Sequence, residues 1–251
     1  MEEKVTEPKF KFPTETVELP SKGLIYPKDN PLSSGKVEMK YMTAKEEDIL
    51  TNTNYITKGV VLDKLLESLI VSKINYNDII VGDKNALLIA ARVLGYGKDY
   101  SFTIRGQEYN VDLTTLEDKT LKSEDLKEEG VNEFEFELPY SKTLITFKLL
   151  NHSDEKNIDR ELEGLRKIRN NESPEATTRL KYIITSVDND REKKTIREFV
   201  DNYLLARDAR ALRERIREVA PDVELKYYEN GVEEDINIPI DITFFWPDAR
   251  I

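Results

Sequence analysis

The chain has 251 residues, 39% hydrophobic and 35% charged, with 49 acidic side chains against 38 basic ones, a net charge of -11 and no cysteine. That length suits one large domain or two modest ones, with a core that needs no covalent staple. The missing cysteines exclude disulfides, thiolate catalysis and cysteine-held zinc, and the negative balance argues against indiscriminate binding to phosphate backbones.

Residues 1–12 are charged, carry no period and are expected to form a loose arm; they resemble neither a signal peptide nor a membrane span. No apolar stretch elsewhere reaches the length of a span. From Thr14 the pattern changes, and Thr16-Val17-Glu18-Leu19 alternates. Pro20-Ser21-Lys22-Gly23 then offers a turn, and Tyr26-Pro27 closes the segment. Val37, Met39 and Tyr41 alternate as one strand face. Thr43 with Glu46 three residues on makes a capping box for a short acidic helix over 44–52. Glu46, Glu47 and Asp48 suit the positive end of its dipole and fan too widely to converge on a cation.

After Gly59, Leu62, Leu65, Leu66 and Leu69 form the stripe of a second helix. Asp83 is expected to cap a third, with Ala86, Leu87, Ala90, Ala91 and Leu94 inward and Gly95 as its stop. Gly82-Asp83-Lys84 and Gly95-Tyr96-Gly97-Lys98 lack the spacing of a phosphate-cradling loop. Two hairpins follow, 100–104 with 108–113 around Arg105-Gly106, and 134–138 with 144–149 around Pro139 to Lys142. The charged stretch 117–130 between them reads as a surface excursion.

From Ser153 to Ala220 the periodicity is helical. Ile158, Leu162, Leu165 and Ile168 share a stripe; so do Leu180, Ile183, Ile184 and Val187, then Ile196, Phe199, Val200 and Tyr203. Leu205, Ala209, Leu212, Ile216 and Val219 make a short heptad-like seam. A strand over 224–228, the turn pair Asn230-Gly231 and alternating isoleucines from Ile236 to Ile242 predict a closing β-hairpin. The fold class expected is α+β: a flexible arm over 1–12, a mixed hairpin and helix domain over 13–150, and over 151–251 a helical domain with a C-terminal β-hairpin.

Several stretches also carry a resemblance. They are Leu19-Pro20-Ser21-Lys22-Gly23 with Tyr26-Pro27, Met42 to Leu50, Lys58-Gly59 with Leu62 to Leu66, Val81 to Leu88 with Arg92 and Gly95-Tyr96-Gly97, and Phe244-Phe245-Trp246-Pro247. In this order they resemble the baseplate hub subunit family of T4-like bacteriophages. The part around Val81 to Tyr100 is similar in style to phage tail assembly chaperones. The resemblance is densest over 17–100, returns at 133–150 and is slight over 153–220. It implies a non-enzymatic role in baseplate hub assembly, through contacts with other hub proteins and the tape-measure protein. It also implies a place in the host cytoplasm during assembly, with the virion baseplate as the other residence. The family pattern has a cysteine pair near Phe102 to Gly106. This chain has none there, so no metal-bound hairpin carries over.

The residues singled out for partner contact are Lys22, Gly23, Tyr26, Tyr96, Phe244, Phe245 and Trp246. For the 22–26 segment the alternative is a plain turn. For the terminal aromatics it is burial in their own sheet. No cofactor or metal is expected. His152, the single histidine, is expected to be solvated or capping, since no nucleophile elbow accompanies it. Arg207, Arg210, Arg213, Arg215 and Arg217 on one helix leave a nucleic-acid-binding adaptor as a rival function, but i,i+4 pairing and an acidic protein partner are simpler readings. A hydrolase is the remaining rival, with no carboxylate pair marked out.

Overall fold

The structure is a computed structural model describing residues 13–168, 174–229 and 232–245, with the side chains of 229 and 232–235 excepted. The fold is α+β, with small antiparallel sheets set among helices. β1 (Thr14–Glu18) pairs with β2 (Lys36–Lys40) in the register Val17 opposite Val37. Then come α1 (Ala44–Leu50), α2 (Thr53–Thr57), α3 (Val61–Leu69) and the long α4 (Val81–Tyr96). β3 (Asp99–Ile104) and β4 (Gln107–Asp112) form the first expected hairpin. Its turn residues Arg105 and Gly106 both have positive φ (52° and 84°), as a two-residue hairpin with right-handed twist requires.

The excursion after β4 is tied down: β5 (Asp118–Lys119) pairs with β9 (Asp222–Val223), and Leu121 is buried. β6 (Phe134–Glu137) and β7 (Leu144–Phe147) form the second hairpin. Helices α5 (His152–Ile168), α6 (Glu175–Ile183), α7 (Lys193–Asn202) and α8 (Ala206–Val219) follow. β10 (Lys226–Glu229) and β11 (Val232–Asn237) close the chain before a short 3-10 turn over Ile242–Phe245. The 1–12 arm, the Asn230-Gly231 turn, Trp246 and Pro247 lie outside the described residues.

Four expectations are corrected. Residues 184–187 are not helical. They form β8 (Ile184–Val187), the third strand of the β6–β7 sheet, with Thr146 hydrogen-bonded to Ser186. Ile184 and Val187 are β-branched, and the open edge of β7 supplies ladder partners that override helical spacing. α4 starts two residues before Asp83, with Ile80 as N-cap, so Asp83 does not cap it. Its end is Gly97 (φ 85°), not Gly95, which lies inside the helix against Met42. The isoleucine strand ends at Asn237, and Ile242 begins the 3-10 turn.

Buried side chains from Leu19 through Phe245 join one hydrophobic cluster, and the β7–β8 and β5–β9 pairings cross residue 150. Gly82 shows how closely the parts approach: a Cβ there would collide with the Pro221 carbonyl oxygen.

Candidate interaction surface

Three of the stretches that carried the resemblance, 19–27, 81–97 and 244–245, are joined by buried polar contacts. Asp83, buried in the first turn of α4, accepts hydrogen bonds from Ser21 N (2.9 Å), Ser21 Oγ (2.7 Å) and the Tyr26 hydroxyl (2.7 Å). The Tyr26 oxygen in turn accepts from Ile80 N at 3.2 Å. Burial raises the Asp83 pKa against these donors and also raises that of Tyr26. The 19–27 loop is thereby stapled to the start of α4. Lys22 (φ 52°) is exposed and pairs with Glu18 at 3.4 Å, an exchange worth little at such exposure. Gly23 (φ 78°) is buried where a Cβ would strike the Ser33 carbonyl oxygen, so this position requires glycine twice over.

Arg92 is the second knot. Its buried guanidinium donates to the carbonyls of Phe244 (2.9 Å), Gly97 (2.8 Å) and Asp99 (3.1 Å). It lies over the rings of Tyr96 at 5.4 Å and Tyr100 at 5.8 Å. Tyr96 is half-buried, and its pKa is raised by burial and then by Glu47. Phe244 and Phe245 are 0% exposed, and Phe244 packs edge-on against Tyr100 with ring centres 4.8 Å apart. Tyr26 is 5% exposed. Tyr26, Phe244 and Phe245 are therefore core residues in this conformation, and a side chain without surface contacts no partner. Lys22 keeps an exposed side chain; Trp246 lies outside the described residues.

Glu46 is buried as well. Burial raises its pKa, but donors on Lys40, Thr43 and Ser68 outweigh it and hold the carboxyl at about 2. His152 is buried, not solvated. Its ring meets Tyr76 edge-on at 4.7 Å, its Nδ1 is 3.9 Å from Asp63, and burial lowers its pKa. Asp63 is already engaged by Lys84 and by the Tyr76 hydroxyl. Among the described residues, no His, Asp and Glu side chains group as a metal would require.

No family model matches this chain, and no curated protein or solved structure matches it either. The candidate surface therefore rests on the chain's own geometry.

That geometry favours a corner at the start of α8. Tyr140 is 56% exposed, Tyr203 63% and Leu205 50%. The Arg207 guanidinium lies 5.4 Å over the Tyr140 ring. Underneath, the buried Asp208 carboxylate accepts from Tyr140 N (2.9 Å) and Ser141 N (3.0 Å), which holds its pKa down against burial and fixes the β6–β7 turn to α8. Tyrosine and arginine are residue types that concentrate binding energy at protein interfaces. The sequence pattern pointed elsewhere, placing Tyr203 and Leu205 in buried helical stripes and Tyr140 in a turn. The corner becomes visible only once Asp208 reaches across to Tyr140. Further along α8, Arg210 pairs with Glu214, and Arg215 pairs with Asp125 and Glu218.

Proposed function

We propose that the protein is a non-enzymatic phage tail-morphogenesis protein that acts in baseplate hub assembly by contacting hub proteins and the tape-measure protein. The observation that carries protein contact is the exposed set Tyr140, Tyr203, Leu205 and Arg207 at the start of α8, where Asp208 ties the Tyr140 turn to the helix. What favours the hub setting is the resemblance, whose stretches at 19–27, 81–97 and 244–245 converge on Asp83 and Arg92. The most distinctive buried polar groups are spent on holding the chain together, and the interface-type residues are left outside.

The test is co-expression of the tagged chain with the neighbouring tail proteins, followed by pull-down. Capture of a hub or tape-measure protein is expected, with at least tenfold loss for Tyr203→Ala combined with Arg207→Ala. Capture of no tail component by the wild-type chain overturns the reading. Gel analysis of purified particles then separates a resident hub subunit, present in the virion, from an assembly chaperone, absent from it.

A further inference from the structure

β1 and β2 differ at their outer edges. The bonds Leu19 N to Gly35 O and Tyr41 N to Pro13 O fix which residues of β1 point their main-chain groups at β2: Pro13, Glu15, Val17 and Leu19. The N–H and C=O groups of Thr14, Thr16 and Glu18 must point the other way. On β2 the corresponding outward groups are used, because Glu38 O accepts from Val71 N and Glu38 N donates to Ser72 Oγ. On β1 the outward groups have no partner among the described residues.

Beside that open edge runs a groove of about 330 Å³. Glu15 and Val17 line it from one face of β1, and Thr16 and Glu18 from the other, as only a groove lying along the edge of the strand allows. Its floor is apolar, built by Ile89, Ala90 and Val93 of α4 with Leu113 and Leu116. The small side chains of Ala86 and Ala90 also line it. Every ionisable residue lining it is acidic: Glu15 and Asp118, together with Glu18, which already pairs with Lys22 and Lys36.

We propose that this edge receives an extended segment of a partner protein as a third strand, apolar at alternate positions and lysine- or arginine-bearing between them. Main-chain pairing with Thr14, Thr16 and Glu18 would supply affinity. The apolar floor and the acidic rim would select the side chains. This goes beyond the assembly reading, since it concerns β1 and holds for any partner. Failure to capture tail proteins would leave it standing.

The probe is a fluorescein-labelled peptide, Lys-Val-Lys-Val-Lys-Val, titrated with the full chain and followed by anisotropy. Saturable binding is expected, weakened at least tenfold by N-methylation of alternate peptide amides, by Thr16→Pro and by Glu15→Lys combined with Asp118→Lys. Thr16→Pro removes an outward N–H without touching the ladder to β2, so the edge tolerates it. An unchanged urea midpoint shows that each variant is folded. The proposal is overturned if the N-methylated peptide binds as well as the parent, because attraction is then electrostatic alone. It is also overturned if the peptide with Glu in place of Lys binds equally, or if sedimentation shows a dimer that Thr16→Pro abolishes, which would assign the edge to a second copy.

Discussion

Arg92 and Arg207 both place a guanidinium over a tyrosine ring, at 5.4 Å in each case, yet they do opposite things. Arg92 is buried, and three of its N–H donors go to carbonyls that join the end of α4, β3 and the last described turn. Arg207 is exposed, and the backbone it stands on is held by the buried Asp208 next to it. The same chemical pair thus holds the fold in one place and presents a surface in the other. The difference lies in whether the surrounding chain removes water from it.

That contrast can be broken at its strongest point first. In the stapled region, Gly82→Ala forces a Cβ onto the Pro221 carbonyl and is expected to cost about 3 kcal/mol, read as a lowered urea midpoint. Next, Arg92→Met keeps an apolar stem but leaves the Phe244, Gly97 and Asp99 carbonyls without their donor. A loss of about 2 kcal/mol is expected, again by denaturant unfolding. A smaller effect concerns pH. The Glu46 carboxyl is held at about 2 in the fold against its ordinary 4.5, so its contribution is complete above about 4.5 and fades as pH falls towards 2. Glu46→Gln should flatten that part of the stability curve relative to wild type and leave its shape above pH 5 alone. Smallest of all, Tyr203→Ala at the exposed corner should change stability by less than about 0.5 kcal/mol while weakening partner capture. A large loss of stability there would mean that the corner belongs to the core and not to a partner.

The local elements were legible from the chain itself. The Thr43 and Glu46 capping box, the leucine stripe of α3 and the Arg105-Gly106 hairpin each rest on spacing within a few residues, and each is present. What spacing could not reach was the use of a residue by distant chain. Glu46 takes its further donor from Ser68, and Asp83 takes Ser21 and Tyr26 from a loop 57 to 62 residues away. Ile184 to Val187 kept a helical period and became a strand because β7 had an edge to fill. The choice left open for the terminal aromatics fell to burial for Phe244 and Phe245.

Composition and periodicity, then, determined an α+β chain with acidic balance, hairpins at glycine-bearing turns and amphipathic helices, because those properties are written in neighbouring residues. Only the tertiary structure decided which aromatic side chains are core and which are surface, and which strand edge stays open. Those outcomes depend on water being excluded by segments far apart in sequence, a property that no local window contains.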